Sequence, residues 1–336
     1  MSLLVWNCQG LGNPWTVKGF GDLLRNHKPT LVFLVETKCF ASQVEALKRK
    51  FNLFGCGVDP IGRSGGLALF WHKSAEVQLQ SLSRYHIDVS VRLCDKEEWW
   101  RFTGFYGEPD VGKREVSWNL LRRLHSQSIR PWLCAGDFNE ILEHAEKEGG
   151  SVRAEWQIRN FRKCLSDCEL QDLGFQGPIF TWCNNHREPN TVRERLDRAC
   201  SSLSWSHLFP ASKVNHVSSP YSDHAPLVIE LRPQAACVVQ KSQKIFRFEA
   251  SWLQEADCEA LVTSAWTVPA GSHPKNVLVD KISTVCARLS RWGRLVGKET
   301  VERIKALKKT IVSMRQHTVT EDSRARELKA KDELLN

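Results

Sequence analysis

No run of about 18 apolar residues occurs anywhere in the 336-residue sequence, which excludes an apolar helix long enough to cross a bilayer. The first strand-like segment, Leu3-Leu4-Val5-Trp6, begins almost at the initiator and leaves no room for a signal or transit peptide. A nucleotide-binding P-loop is missing too. Gly62-Arg63-Ser64-Gly65-Gly66 lacks the Gly-Lys-Ser/Thr that would precede a helix and reads as a turn into a strand. There is no internal repeat. Twelve cysteines are present but scattered, and the nearest pair, Cys164 and Cys168, has helical spacing with no histidine close by. That pattern excludes a disulfide scaffold and a zinc knuckle, and leaves the thiols as small buried hydrophobes in a reducing compartment.

What is there is a soluble, globular composition, 42% hydrophobic and 25% charged. The length suits one large domain with an appendage, or two medium ones. The net charge of +9 favours a polyanionic partner. Its distribution is uneven: Pro233 to Asn336 holds 18 Lys+Arg against 12 Asp+Glu, while the first 232 residues hold 29 against 26.

Asn13-Pro14 reads as an N-cap followed by a proline in the first turn, with Val17, Phe20 and Leu24 on one helical face. Thr30 to Val35 then runs apolar into Glu36, and Val44, Leu47 and Phe51 mark a second short helix. Strands are expected at Gly66 to Trp71, His86 to Leu93 and Trp100 to Tyr106, and helices at Glu115 to Ser126 and Glu155 to Leu170. Further strand-like pieces follow at Ile179 to Trp182, Arg193 to Ala199, Val214 to Val217 and Pro226 to Leu231. Many strands broken by a few helices indicate an α/β or α+β sandwich. Arg232 to Lys244 has the texture of a linker. Beyond it, Phe246 to Trp252 suggests a small packed element, and Lys298 to Gln316 an amphipathic basic helix.

The stretch Pro131-Trp132-Leu133-Cys134-Ala135-Gly136-Asp137-Phe138-Asn139 organises the rest. It reads as a buried strand that delivers a carboxylate and an amide, two residues apart and on one face, at its C-terminal end. Similar polar groups sit at strand ends or turns elsewhere: Trp6-Asn7, Glu36-Thr37, Tyr106-Gly107, Arg195-Leu196-Asp197-Arg198 and Ser222-Asp223-His224. Each has a bland alternative. Tyr106 would serve equally as a core aromatic, Asp197 as a surface ion pair with its arginine neighbours, and Asn7 as a turn residue.

Taken together, over residues 3 to 232, these motifs resemble the exonuclease/endonuclease/phosphatase superfamily. More narrowly, Trp6 to Gly12, Gly104-Phe105-Tyr106-Gly107, Gly136 to Glu140 and Phe180-Thr181-Trp182 are similar to the endonuclease that opens plant LINE-type (non-LTR) retrotransposon polyproteins. Phe246 to Trp252 resembles the connector that follows it. The resemblance implies a four-layer α/β sandwich: two mostly antiparallel six-stranded sheets face to face, flanked by helices. It sets the nuclease domain at 1–232, a linker at 233–244 and a mainly helical basic extension at 245–336.

It further implies a Mg²⁺ (or Mn²⁺) phosphodiesterase acting on DNA in the nucleus. Glu36 would be the principal metal ligand, assisted by Asn7 and Asp223. Asp137 would activate water with Asn139 holding it, His224 paired with Asp197 would contact the scissile phosphate, and Tyr106 would donate to a phosphate oxygen. The hairpin between Trp182 and Arg195 would enter a DNA groove, with Trp182, Arg187, Arg193 and Arg195 as contacts; solvated loop charges are the bland reading of those arginines. No adjacent Asp-Asp pair and no Cys/His knuckle occur, so a reverse transcriptase partner is expected outside this chain, which would be part of such a polyprotein or derived from one. Two rival readings stay open: the same chemistry on a small phosphoester, and a decayed relic that binds nucleic acid or a protein.

Overall fold

Asn13 ends an extended stretch, and its side chain accepts from the backbone N–H of Trp15, so Pro14 enters the first turn of a helix without leaving an orphan donor. That helix, α1 (Pro14–His27), follows strand β1 (Ser2–Asn7) and leads into β2 (Leu31–Val35). The computed structural model describes residues 1–62, 64–92, 98–186 and 189–231, then 248, 252–253, 255–266, 281–282, 284–293, 302, 304–307, 309–310 and 329.

The next elements are α2 (Ala41–Phe51), β3 (Phe54–Ile61), β4 (Ser64–Trp71), β5 (Glu76–Ser83), β6 (His86–Arg92) and β7 (Trp100–Tyr106). After them come α3 (Glu115–Ser126), β8 (Trp132–Asp137), β9 (Lys147–Glu148), α4 (Glu155–Asp167) and β10 (Gln171–Asp172). The last part of the sandwich holds β11 (Trp182–Cys183), β12 (Arg193–Glu194), β13 (Asp197–Ser201), α5 (Leu203–Leu208), β14 (Lys213–His216) and β15 (Leu227–Glu230).

Two six-stranded sheets result, in the orders β14-β15-β1-β2-β4-β3 and β10-β13-β8-β7-β6-β5, with a small third sheet β11-β12-β9. This is the α/β sandwich expected from the sequence. Strands β2, β7 and β8 are buried along their whole length because both faces are covered. Between the sheets lie Leu3, Val5, Phe33, Leu69, Val89, Phe102, Leu133 and Ile229. Outside the first sheet, Phe20 of α1 meets Phe51 and Phe70. Outside the second, Trp118 of α3 stacks on Phe161 of α4 at 4.7 Å, which adds roughly 0.5–1.5 kcal/mol to what burial alone supplies.

The expected strand over Arg193 to Ala199 is two strands. The chain leaves β12 at Arg195, where both Leu196 N and Asp197 N donate to Thr181 Oγ1, and then joins β8 as β13. Ile179 to Phe180 is likewise not strand; only Trp182–Cys183 pairs. The cysteines among the described residues are free thiols, most of them buried.

The chain divides into two compact units, Met1–Ala236 with Ile311–Asn336, and Cys237–Thr310. In the second unit, α6 (Ala256–Trp266) is followed by helical residues 284–293. Trp252 there meets Phe248 and Trp292 edge-on. The expected linker, 233–244, residues 246–247 and 249–251 of the connector and most of the helix at 298–316 lie outside the described residues. Among those described, no helix is long and apolar enough to cross a membrane.

Candidate active site

Two parallel strand pairs bring the polar strand ends to one rim. β1 and β2 run parallel with Asn7 opposite Val35, so Asn7 and Glu36 finish side by side. β7 and β8 run parallel with Tyr106 opposite Asp137. β13 is antiparallel to β8 and starts with Asp197 opposite Asp137. His224 lies three residues ahead of β15, which pairs antiparallel with β1. Topology alone therefore collects residues spread over more than 200 positions.

The geometry there is dense. His224 Nδ1 lies 2.8 Å from Asp197 Oδ2, and its Nε2 is 4.0 Å from Asp137 Oδ2. Asn7 Nδ2 donates to Asp137 Oδ2 at 3.0 Å and stands 3.4 Å from His224 Nε2. The other Asp137 oxygen accepts from Asn139 N at 2.9 Å, while Asn139 Nδ2 donates to Gly107 O. Trp6 Nε1 donates to the carbonyl of His224, and Ser222 Oγ donates to that of Asn7, which fixes the loop before β15 onto β1. Tyr106 OH donates to Glu36 Oε1 at 2.8 Å, and Lys38 Nζ is 3.6 Å from Glu36 Oε2.

Glu36 and Asn139 both adopt left-handed backbone conformations, φ +50° and +55°. Glu36 follows directly on the buried strand β2, and Asn139 comes two residues after the end of β8. Such conformations cost non-glycine residues roughly 1–3 kcal/mol and persist where the surroundings dictate them.

Asn7, Asp137, Asp197 and His224 are all at most 4% exposed. Burial opposes a charged imidazole, but Asp197, with help from Asp137 and Asp223, overrides it and lifts His224 to about 10. Burial, reinforced by the charge of Asp197, raises Asp137 to about 7 against the opposing pull of His224, Asn139 and Asn7. Burial, reinforced by Glu36, holds the Tyr106 phenol far above its ordinary range. The site thus pairs a protonated imidazole with a carboxylate poised near neutrality.

Glu36, Asp137, Asn139 and His224 line one cavity of about 310 Å³. Asp223 does not. Its Oδ2 accepts from the indole of Trp182 at 3.1 Å, and it borders a neighbouring cavity. The ligand atoms of Asp137, Asp197 and His224 lie within 4.8 Å of one another, and the group could hold a metal ion. A metal there would have to displace the proton that Asp197 holds on His224. Glu36 offers a harder and more open oxygen: its side chain is 17% exposed and faces the cavity.

The expected DNA contacts separate. Trp182 and Arg193 face open cavities. Arg187 lies outside the described residues. Arg195 is only 4% exposed and bonds to Glu146 and Asp172 at 2.7 and 2.9 Å; with its guanidinium committed inside the fold, it is not a DNA contact. Two residues marked by no sequence pattern, Arg114 and Arg153, line the cavity of Asp137. Both pair with the fully buried Glu140, the residue that follows Asn139. They come from loops with no apolar lead-in, so their ion pairs, with Glu140 and for Arg153 also with Glu194, are what mark them.

The endonuclease/exonuclease/phosphatase family profile matches residues 4–224. No curated protein sequence matches the chain. Among solved structures, the endonuclease domain of TRAS1, a telomere-specific non-LTR retrotransposon, is similar at 16% identity and TM-score 0.55, covering 70% of this chain and 99% of that one. The AP endonuclease LMAP of Leishmania major aligns at 16% identity and TM-score 0.54, over 69% and 87% of the two chains. A 3′ phosphatase, NExo from Neisseria, bound to a product DNA hairpin, aligns at 16% identity and TM-score 0.51, over 69% and 99%.

Proposed function

The chain belongs to the endonuclease/exonuclease/phosphatase family, and we propose that it is a divalent-metal-dependent DNA endonuclease that nicks one strand to leave a 3′-hydroxyl. The observation that carries this reading is the shared cavity of Glu36, Asp137, Asn139 and His224. We assign Mg²⁺ as the metal, with Glu36 as its main ligand and Asn7 acting near it; Asp223, expected there too, instead accepts from the Trp182 indole at the border of the neighbouring cavity. A hard ion that keeps several waters needs few protein oxygens. When bound, it supplies positive charge to the non-bridging and leaving oxygens of the phosphate.

The chain's own residues divide the remaining work. Asp137, raised toward 7 and held by Asn7 and the backbone of Asn139, takes the proton of the attacking water. His224, kept protonated by Asp197, donates a hydrogen bond to a non-bridging oxygen as negative charge develops, and the departing 3′-oxygen takes its proton from solvent. Tyr106 fixes Glu36 through its hydroxyl, so its effect on phosphate passes through that carboxylate. The motifs Trp6 to Gly12, Gly104 to Gly107 and Gly136 to Glu140 support an origin in a non-LTR retrotransposon, where such a nick primes a reverse transcriptase.

Supercoiled plasmid tests the proposal. The chain should relax it in Mg²⁺ and stop in EDTA, and Asp137→Ala or His224→Ala should each slow relaxation at least about 100-fold. Release of phosphate from soluble esters with no plasmid relaxation would replace the DNA reading with one on small phosphoesters. Salt-dependent DNA retention with no nicking would identify a binding relic.

A further inference from the structure

Strand β6 turns a polar face away from the other sheet. Ile87, Val89 and Val91 pack between the sheets, so His86, Asp88 and Ser90 face outward, yet each is at most 3% exposed. The end of α3 lies over this face, where Arg101 Nη1 donates to Leu124 O at 2.6 Å. Gln127, Ser128 and Arg130 of the following loop, with Gln80, Asp88, Ser90 and Arg101, line a cleft of about 390 Å³. Small-ligand pockets run from roughly 300 to 1,000 Å³.

The cleft is remote from the strand ends that carry the catalytic groups. Ser90, Arg101 and Trp132 stand level in β6, β7 and β8, while Tyr106 and Asp137 stand level at the other end. Arg101 to Tyr106 spans roughly 17 Å of strand.

Ser90 points to a ligand. Its hydroxyl borders the cleft and has no hydrogen-bond partner among the described residues, a condition that costs free energy until a bound group supplies one. The backbone opens there too. Leu79 pairs with Val89 and Ser81 with Asp88, which leaves Gln80 as an extra residue on β5, and such bulges re-aim a side chain.

Charge selects the kind of ligand. Asp88 is neutralised, since its oxygens accept from Arg101 Nε and Nη2 and from Thr103 Oγ1. Arg101 commits three of its five N–H groups to Asp88 and Leu124. Ser128 Oγ accepts from Arg130 N, so its own hydrogen is free to be donated. Arg130 is exposed and forms no ion pair among the described residues. The lining therefore carries an excess of donors and one uncompensated positive charge, which suits an oxyanion. No aromatic or aliphatic side chain lines the cleft, so the rest of the ligand is polar.

We propose that this cleft binds a small sugar phosphate, its phosphoryl group at Arg130 and Ser90 and its hydroxyls toward Gln80 and Gln127. Titration calorimetry of the full chain with ribose 5-phosphate tests this, in EDTA so that no metal draws the phosphate into the catalytic cavity. One molecule per chain should bind with Kd below about 1 mM, and ribose itself should not bind. Arg130→Gln, at an exposed position, should weaken binding at least about tenfold, and Ser90→Ala about threefold. His224→Ala should keep the wild-type affinity, because the catalytic cavity is a separate site. Wild-type affinity in Arg130→Gln and Ser90→Ala, or loss of binding in His224→Ala, overturns the assignment to this cleft. Absence of ribose 5-phosphate binding overturns the sugar phosphate itself; if Arg130→Gln then weakens binding to a short DNA duplex, the cleft takes a nucleic-acid backbone instead.

Discussion

A buried imidazole with no anionic neighbour would lose its proton below the ordinary 6.5, and His224 does the reverse because Asp197 sits 2.8 Å from Nδ1. The sign of the linkage follows. A histidine whose folded value is raised contributes stability in full below its unfolded value, and that contribution fades as pH rises toward about 10. Asp197→Asn keeps the hydrogen-bonding shape but removes the charge, so burial regains control of the imidazole. The alkaline limb of the pH–rate profile for plasmid nicking should then move down by at least about one pH unit. Activity near pH 8 should fall far more than activity near pH 6. An unshifted alkaline limb in this variant would show that His224 does not act as the protonated group.

At the scale of elements, the site depends on how strands end. Asn139 holds φ +55° two residues past the end of β8, a conformation that asparagine tolerates and alanine resists. Asn139→Ala should lower stability by about 1 kcal/mol more than Asn139→Gly, although both lose the same amide, and urea unfolding measures the difference. Close approach matters as much as φ. A Cβ on Gly136 would lie 1.8 Å from Phe105 O, so the parallel contact that sets Tyr106 beside Asp137 requires glycine there.

A second element-scale device is the buried ion cluster. Arg198 is fully buried and bonds Glu146 at 2.8 Å and Asp172 at 2.7 Å. Burial pushes both carboxyls up, but the arginines outweigh it and hold them below their ordinary values. Arg198→Met would leave Glu146 and Asp172 to share Arg195 alone, one buried acid without a countercharge, and should cost about 3–5 kcal/mol. Arg122→Met, which loses partners that are largely exposed, should cost under about 1 kcal/mol.

The sequence made some of this legible and hid the rest for physical reasons. Strands β2 and β8 announce themselves because burial on both faces demands continuous apolar runs, β7 by its alternating and aromatic residues despite the buried Arg101 and Thr103, and α1 because Asn13-Pro14 caps it. The edge strands β3 and β5 escape notice: β3 carries glycines and Pro60, and β5 is mostly exposed with an irregularity between Leu79 and Ser81. At the site, Glu36, Asp137 and Asn139 stand out as polar groups at the ends of apolar runs, and His224 as one just ahead of a strand-like run. Arg195 misled because a guanidinium beside a hairpin reads as exposed until its partners, Glu146 and Asp172, arrive from distant loops.

For the whole molecule, the question is how a net charge of +9 acts on a polyanion when the first 232 residues carry only a small excess. Much of the arginine in the sandwich is neutralised internally: Arg101 by Asp88, Arg114 by Glu140, Arg153 by Glu140 and Glu194, and Arg195 and Arg198 by Glu146 and Asp172. These charges hold the fold and contribute little field outside it. The excess lies in residues 233–336, where Lys305 and Lys309 are exposed one helical turn apart. Attraction to DNA should therefore come largely from the extension, and chemistry from the sandwich. Binding to a 30-base-pair duplex, followed by anisotropy with Ca²⁺ in place of Mg²⁺, should weaken linearly on a log–log plot against salt, with a slope near −0.9 per phosphate contacted. Replacing both Lys305 and Lys309 with glutamine should reduce that slope by about 1–2 and weaken binding equally for all sequences. The nicking rate at saturating DNA should stay unchanged. A variant that keeps the wild-type slope would move the DNA-binding charge back onto the sandwich, where Lys38 stands beside Glu36 and Arg193 borders a cavity.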